Sequence, residues 1–132
     1  MSSLQIFGVG GLPEIEPGAD LAGSILRAAA ESGQPLADGD VVVVTSKIVS
    51  KAEGRTVELA DIEPSPFALA WSAQWGKDAA VTEIVLRESK RIVRQIGPIM
   101  ITETHHGLVC ANSGVDQSPS GAHGRALLLH LD

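Results

Sequence analysis

Two serines and two lysines fall within one six-residue stretch, Ser46-Lys47-Ile48-Val49-Ser50-Lys51, directly after Val41-Val42-Val43-Val44-Thr45. Ammonium groups beside hydroxyls suit phosphate oxygens, because charge and O–H donors together answer concentrated negative charge. If the valine run is a strand that continues regularly, Thr45, Lys47, Val49 and Lys51 share one face and Ser46, Ile48 and Ser50 the other. Convergence then requires the strand to end or bend near Ser50, where Ala52-Glu53-Gly54 permits it. Spacing alone serves equally well for solvated strand-end residues. The chain contains no Gly-x-x-x-x-Gly-Lys-Ser/Thr sequence, so a standard P-loop is not the source of phosphate binding.

Other residues offer weaker chemistry. Gly10-Gly11-Leu12-Pro13-Glu14-Ile15 lets backbone approach a ligand closely, since glycine carries no Cβ, but an ordinary exit from a strand has the same composition. Asp116 lies between glycine-containing turns, where a carboxylate can bind Mg²⁺ or Mn²⁺ through oxygen. Aspartate is also a common turn former. Glu103, His105, His106 and Cys110 carry zinc-ligand types without a standard zinc spacing, and a polar hairpin tip is the simpler account of the histidines. Phe67, Trp71 and Trp75 recur every fourth residue and fit a core or subunit contact better than a base-stacking platform. Cys110 reads as a small buried hydrophobe. No nucleophile, general acid or general base can be named, so the catalytic residues stay unknown.

The elements that must position these residues follow from periodicity and punctuation. Residues 4–9 read as a short strand entering the glycine pair. Asp20 is a plausible N-cap for a helix over 21–32, with Leu21, Ile25, Ala28 and Ala29 at helical spacing and Gly33 near its end. The valine run reads as a strand covered on both faces, because β-branched residues pack well on a pleated surface and show no alternation when neither face meets water. Residues 59–66 read as a connection. A second helix carries the aromatic row at 67–75, and a third spans 81–88. Strands at 91–96 and 99–103 flank Gly97-Pro98, residues 108–111 return as a hairpin partner, and a last strand begins at Arg125. The class is α+β, a mixed sheet with about three helices.

Composition narrows the function classes. With 132 residues and 44% hydrophobic content, the chain suits one domain with a sizeable core, built from aliphatics because aromatics make up only 3%. A net charge of −6 argues against a broad nucleic-acid surface, which needs clustered Lys and Arg. The single cysteine rules out an internal disulfide and favours a reducing compartment. No signal peptide or membrane-length apolar segment is evident, so a cytoplasmic protein without membrane partners is expected. An apolar strand at the very end suggests that something normally follows.

Taken in order, five segments resemble the coenzyme F-420-0:gamma-glutamyl ligase family: Gly11-Leu12-Pro13-Glu14-Ile15, residues 38–55 (DGDVVVVTSKIVSKAEGR), residues 87–94 (RESKRIVR), residues 101–112 (ITETHHGLVCAN) and Gly114-Val115-Asp116-Gln117-Ser118. The resemblance implies the first half of the gamma-glutamyl ligase-like fold, the chain being the N-terminal part of a longer domain. It also implies a GTP-dependent homodimeric enzyme that uses Mg²⁺ or Mn²⁺ to join L-glutamate to a deazaflavin coenzyme precursor through gamma-linked amides. By position, Leu12, Pro13, Glu14 and Ile15 fall on the family's guanine-nucleotide segment, Ser46 and Lys51 on further nucleotide contacts, and Asp116 on a metal ligand. Lys47 is not secured by the same match. Pro119 stands where the family places an asparagine whose amide helps hold nucleotide, and proline has neither that amide nor an N–H. The family's further Asp-Thr metal pair has no counterpart in this chain. The alternative is a noncatalytic nucleotide-binding or dimerisation module derived from the ligase.

Overall fold

A computed structural model describes residues 3–117 and 124–129. The chain divides into two compact units, Met1–Gly54 and Arg55–Asp132. The α+β class expected from the sequence is observed, with four α-helices and two antiparallel sheets among the described residues. No helix among those residues is long and apolar enough to cross a membrane.

The first unit holds α1 (Leu21–Glu31) and α2 (Ser46–Ala52). Asp20 caps α1 by accepting a hydrogen bond from the Gly23 amide at 2.9 Å, which satisfies one of the donors that open a helix. The helix stops at Gly33, whose φ of 74° suits a residue without a Cβ. Gly33 N–H donates to Ala30 O and Gln34 N–H to Ala29 O, both at 3.0 Å, the two bonds of a Schellman ending. Ala28 and Ala29 are its buried residues.

Two expected strands are absent from this unit. Residues 4–9 and 41–45 lie outside any helix or strand, and all four valines are exposed. A strand needs a hydrogen-bonded neighbour as well as suitable side chains, and neither described sheet includes these segments. In place of a strand that bends near Ser50, the chain turns helical at Ser46. Thr45 is still extended, with ψ at 145°, and Gly54 at φ 68° closes the helix by donating its N–H to Lys51 O at 3.0 Å.

The second unit is built around a helix pair and a meander. It begins with β1 (Thr56–Glu58), followed by a 3₁₀ turn over Leu59–Asp61, α3 (Pro66–Trp75) and α4 (Ala79–Arg87). Ser65 and Asp78 cap the two helices through the amides of Ala68 and Val81, and Pro66 occupies the first turn of α3, where no N–H is needed. Then come β2 (Ser89–Ile96), β3 (Ile99–Thr104) and β4 (Val109–Ala111), which pair antiparallel in chain order. Gly97, at φ 53°, makes the turn that sets Ile96 opposite Ile99. A 3₁₀ turn over Asn112–Gly114 leads to Asp116, and β5 (Arg125–Leu127) pairs antiparallel with β1.

Helix α4 feeds both apolar clusters of this unit. Val85 packs with Trp71 and Met100, while its neighbour Ile84 packs with Ala126 and Leu128, and Val115 touches both groups. Thus the aromatic row is only partly core: Trp71 is buried, whereas Phe67, stacked on it at a centroid distance of 6.0 Å, is half exposed.

Polar groups bind these elements to each other. Ser113, fully buried at φ 52°, donates its N–H to Thr102 Oγ1 at 2.9 Å, and its hydroxyl lies 2.8 Å from Thr102 Oγ1, 2.7 Å from Ser89 Oγ and 3.3 Å from Val85 O. Glu83 of α4 accepts the Ser65 N–H at the start of α3 and also the Arg87 Nε–H, both at 2.9 Å. Hydrogen bonding from Ser65, aided by Arg87, holds the Glu83 carboxyl below its ordinary value of 4.5 against the opposing effect of burial. Because its folded pKa is depressed, its contribution is present above pH 4.5 and is lost as pH falls through the folded value.

Glu83→Gln should therefore destabilise the chain at neutral pH and flatten the acid limb of its stability profile below pH 4.5, as followed by chemical denaturation across pH. Ser113→Ala should cost about 1–3 kcal/mol in the same assay by leaving buried partners unsatisfied. Ser113→Gly should recover part of that loss, since glycine adopts positive φ without the roughly 1–2 kcal/mol penalty of other residues.

Candidate functional site

The sequence-derived candidates in the first unit converge on one small region. Gly11 adopts φ 77°, and the segment that follows sinks Ile15 into the interior while Pro13 and Glu14 stay exposed. Ile15 thereby anchors an otherwise solvent-facing loop. Three contacts then tie this loop to α2. The Lys51 ammonium donates to Glu14 Oε1, the Gly18 N–H donates to Ala52 O at 2.7 Å, and Pro17 packs under Gly54, where an added Cβ would stand 3.5 Å from the proline ring.

The helical form of 46–52 changes which residues share a face. At about 100° per residue, Ser46, Ser50, Lys47 and Lys51 fall within an arc of roughly 140°. A regular strand would have set serines and lysines on opposite faces. Ser50 is buried, Ser46 is exposed at the first helical position, and the Lys51 side chain is about one-third exposed, at 34%. Lys51 therefore has a balanced charge, through Glu14, and an accessible head. An ammonium carries three donors, so one carboxylate oxygen does not exhaust it. This is an arrangement that can take an anionic oxygen.

Asp116 belongs to the second unit, where its backbone exchanges two hydrogen bonds with Leu127, at 2.9 and 2.8 Å. The residue is exposed and supplies one carboxylate. Among the described residues no group of three or more His, Cys, Asp or Glu side chains gathers to hold a metal ion, so these residues do not by themselves form a Mg²⁺ or Mn²⁺ site. The zinc reading finds no support in the same region. Glu103 accepts from Arg91 and Lys90, which hold its carboxyl below the usual range, Arg91 most strongly. His105 Nε2–H donates to Arg87 O at 3.0 Å, and burial pushes the Cys110 thiol upward, away from the thiolate that zinc requires. Ser118 and Pro119 lie outside the described residues.

Two features escaped the sequence reading. Arg55, the last residue of the 38–55 segment, is a clamp in the second unit: it donates to Glu88 at 2.6 Å and to Leu129 O at 3.1 Å, and its own carbonyl accepts from the Leu128 N–H at 2.9 Å. The second feature is a cleft of about 180 Å³ whose lining includes the apolar Trp71 and Met100 and the polar Lys77, Asp78, Asn112 and Gln117. Neither has a local signal, because each gathers residues from distant parts of the sequence.

Comparison with known proteins places the chain in a family. The pattern of the F420-0:Gamma-glutamyl ligase family matches residues 10–130. Proteins named Coenzyme F420:L-glutamate ligase are similar: that of Methanothermobacter thermautotrophicus is 44% identical over 115 residues, which are 87% of this chain and 46% of the relative. The Methanopyrus kandleri protein is 49% identical over 106 residues, covering 80% of this chain and 40% of its own length. The Halobacterium salinarum protein is 40% identical over 132 aligned residues, covering 96% and 49%. The chain thus spans about half the length, or less, of these relatives. With a match running through nearly all its residues, the chain belongs to the F420-0:gamma-glutamyl ligase family.

Proposed function

We propose that this chain carries part of the guanine-nucleotide site of a GTP-dependent coenzyme F420:L-glutamate ligase, and is the N-terminal part of a longer ligase domain that acts as a cytoplasmic homodimer. The observation that carries this reading is the Lys51–Glu14 pair, which joins the Gly11-Leu12-Pro13-Glu14-Ile15 loop to the helix bearing Ser46. Relatives 44% and 49% identical over most of this chain are named Coenzyme F420:L-glutamate ligase.

In this reading Leu12, Pro13, Glu14 and Ile15 contact the guanine nucleotide, and Ser46 with Lys51 meets phosphate oxygens. The donors left on the Lys51 ammonium turn toward phosphate, and its charge opposes the negative charge that develops during phosphoryl transfer. A carboxylate oxygen of the deazaflavin precursor attacks the γ-phosphorus of GTP, forming an acyl phosphate and releasing GDP. The amine of L-glutamate then attacks the acyl carbon, phosphate leaves, and the amine loses a proton to give the amide. Asp116 would supply one carboxylate oxygen to Mg²⁺ or Mn²⁺, and the bound cation would offset negative charge on the phosphate oxygens.

Calorimetric titration with GTP or GDP in the presence of Mg²⁺ should show binding. Lys51→Ala should raise Kd about tenfold, the loss of roughly 1.4 kcal/mol expected for a charge-assisted contact. Asp116→Ala should weaken the Mn²⁺-dependent part of nucleotide binding and spare the part measured in chelator. A wild-type chain that binds no guanine nucleotide overturns the reading. Glutamylated product from GTP, glutamate and deazaflavin precursor, detected by mass spectrometry, separates it from the noncatalytic alternative.

A further inference from the structure

The first unit leaves two aliphatic segments in water. Val41 and Val43 are 86% and 90% exposed, Val42 and Val44 are 48% and 37% exposed, and Leu4 and Ile6 are 85% and 87% exposed. The valine exposures alternate with a period of two, the signature of backbone whose successive side chains face opposite ways. Leu4 and Ile6 are likewise two apart. Residues 41–45 carry no charge that would keep them solvated, and β-branched side chains are poorly suited to an irregular loop. Each segment exposes large apolar side chains, of the kind that marks an interaction site where they gather. Their composition fits strands that a sheet neighbour would pair and cover.

The length relation to the family identifies the neighbour. The chain spans 46% of the Methanothermobacter relative and 49% of the Halobacterium one, so a polypeptide of about equal length accompanies this half in those proteins. We propose that residues 41–45 and 4–9 are docking strands for a polypeptide equivalent to the half of the relatives that this chain does not span. That partner offers apolar strands whose N–H and C=O groups extend a ladder along the valine run. The inference rests on family membership and not on the nucleotide reading, so its test reads association alone.

The full chain is co-expressed with the unmatched half of the Methanothermobacter relative, which carries an affinity tag. A soluble one-to-one complex is expected, with amide exchange at 41–45 and 4–9 slowed at least tenfold relative to the chain alone. The double variant Val41→Glu with Val43→Glu should abolish capture while leaving the circular dichroism of the isolated chain unchanged, because both side chains are already exposed. The proposal is overturned if the tagged half stays insoluble or elutes alone, if capture survives the double variant, or if protection falls elsewhere. Self-association of the chain that is lost in the double variant, without capture of the tagged half, places a second copy on this surface and also overturns it.

Discussion

The left-handed turn at Asn112–Gly114 is the constraint on which the second unit depends. Three consecutive residues adopt positive φ, at 51°, 52° and 69°, and two of them carry side chains that disfavour that conformation. The Ser113 hydroxyl offsets the cost by serving Thr102, Ser89 and Val85 at once, which joins β3, β2 and α4 at one buried point. Asn112 Oδ1 also accepts a hydrogen bond from the Met100 N–H at 3.2 Å. With the turn fixed, the chain leaves β4 in the direction that lets Asp116 pair with Leu127 and puts Val115 between both apolar clusters.

The first unit is organised differently. Its interior is small, with Ile15, Ala28 and Ala29 as its buried hydrophobic residues among those described. Order there comes from helix caps and from three contacts between residues 14–18 and 51–54, namely Lys51 with Glu14, Gly18 with Ala52 and Pro17 with Gly54. A loop held by one buried isoleucine and one exposed ion pair keeps its outer face available to a ligand, and exposed ion pairs are weak enough to exchange partners, at about 0.2–1 kcal/mol. The same economy that leaves this unit thinly packed gives the nucleotide reading its chemistry.

How much of this was legible depended on range. Caps and terminators are local, so Asp20 and Gly33 announce α1 and Gly97-Pro98 announces the hairpin, while the caps Ser65 and Asp78 were passed over and α4 was started two residues late. The serines and lysines of 46–51 stand out in the sequence because ligand-bearing types cluster there, whereas roles for Leu12, Pro13, Glu14, Ile15 and Asp116 rest on the family resemblance. What failed was the valine run, read as a buried strand because its side chains suit one, when the hydrogen-bonding neighbour that makes a strand is not contained in residues 41–45. The error carried into Ser46–Ala52, where extending the strand hid a helix that brings serines and lysines to one side. Thr56–Glu58 was missed for a related reason: its partner, Arg125–Leu127, lies at the other end of the unit.

That pairing has a consequence for how the chain acquires its structure. Thr56 opposes Leu127 and Glu58 opposes Arg125, so a two-stranded sheet of three residues a side closes a loop of nearly the whole unit. Closing such a loop forfeits chain entropy before any ladder bond repays it, which makes distant strand pairs slow to form. The helix pair and the β2–β3–β4 meander are short-range and can form while the chain is still emerging from the ribosome. The Ile84, Ala126 and Leu128 cluster cannot be completed until residues 126–128 are available, and before then only Val57, Leu59, Ile62 and Val115 are there to pack beside Ile84.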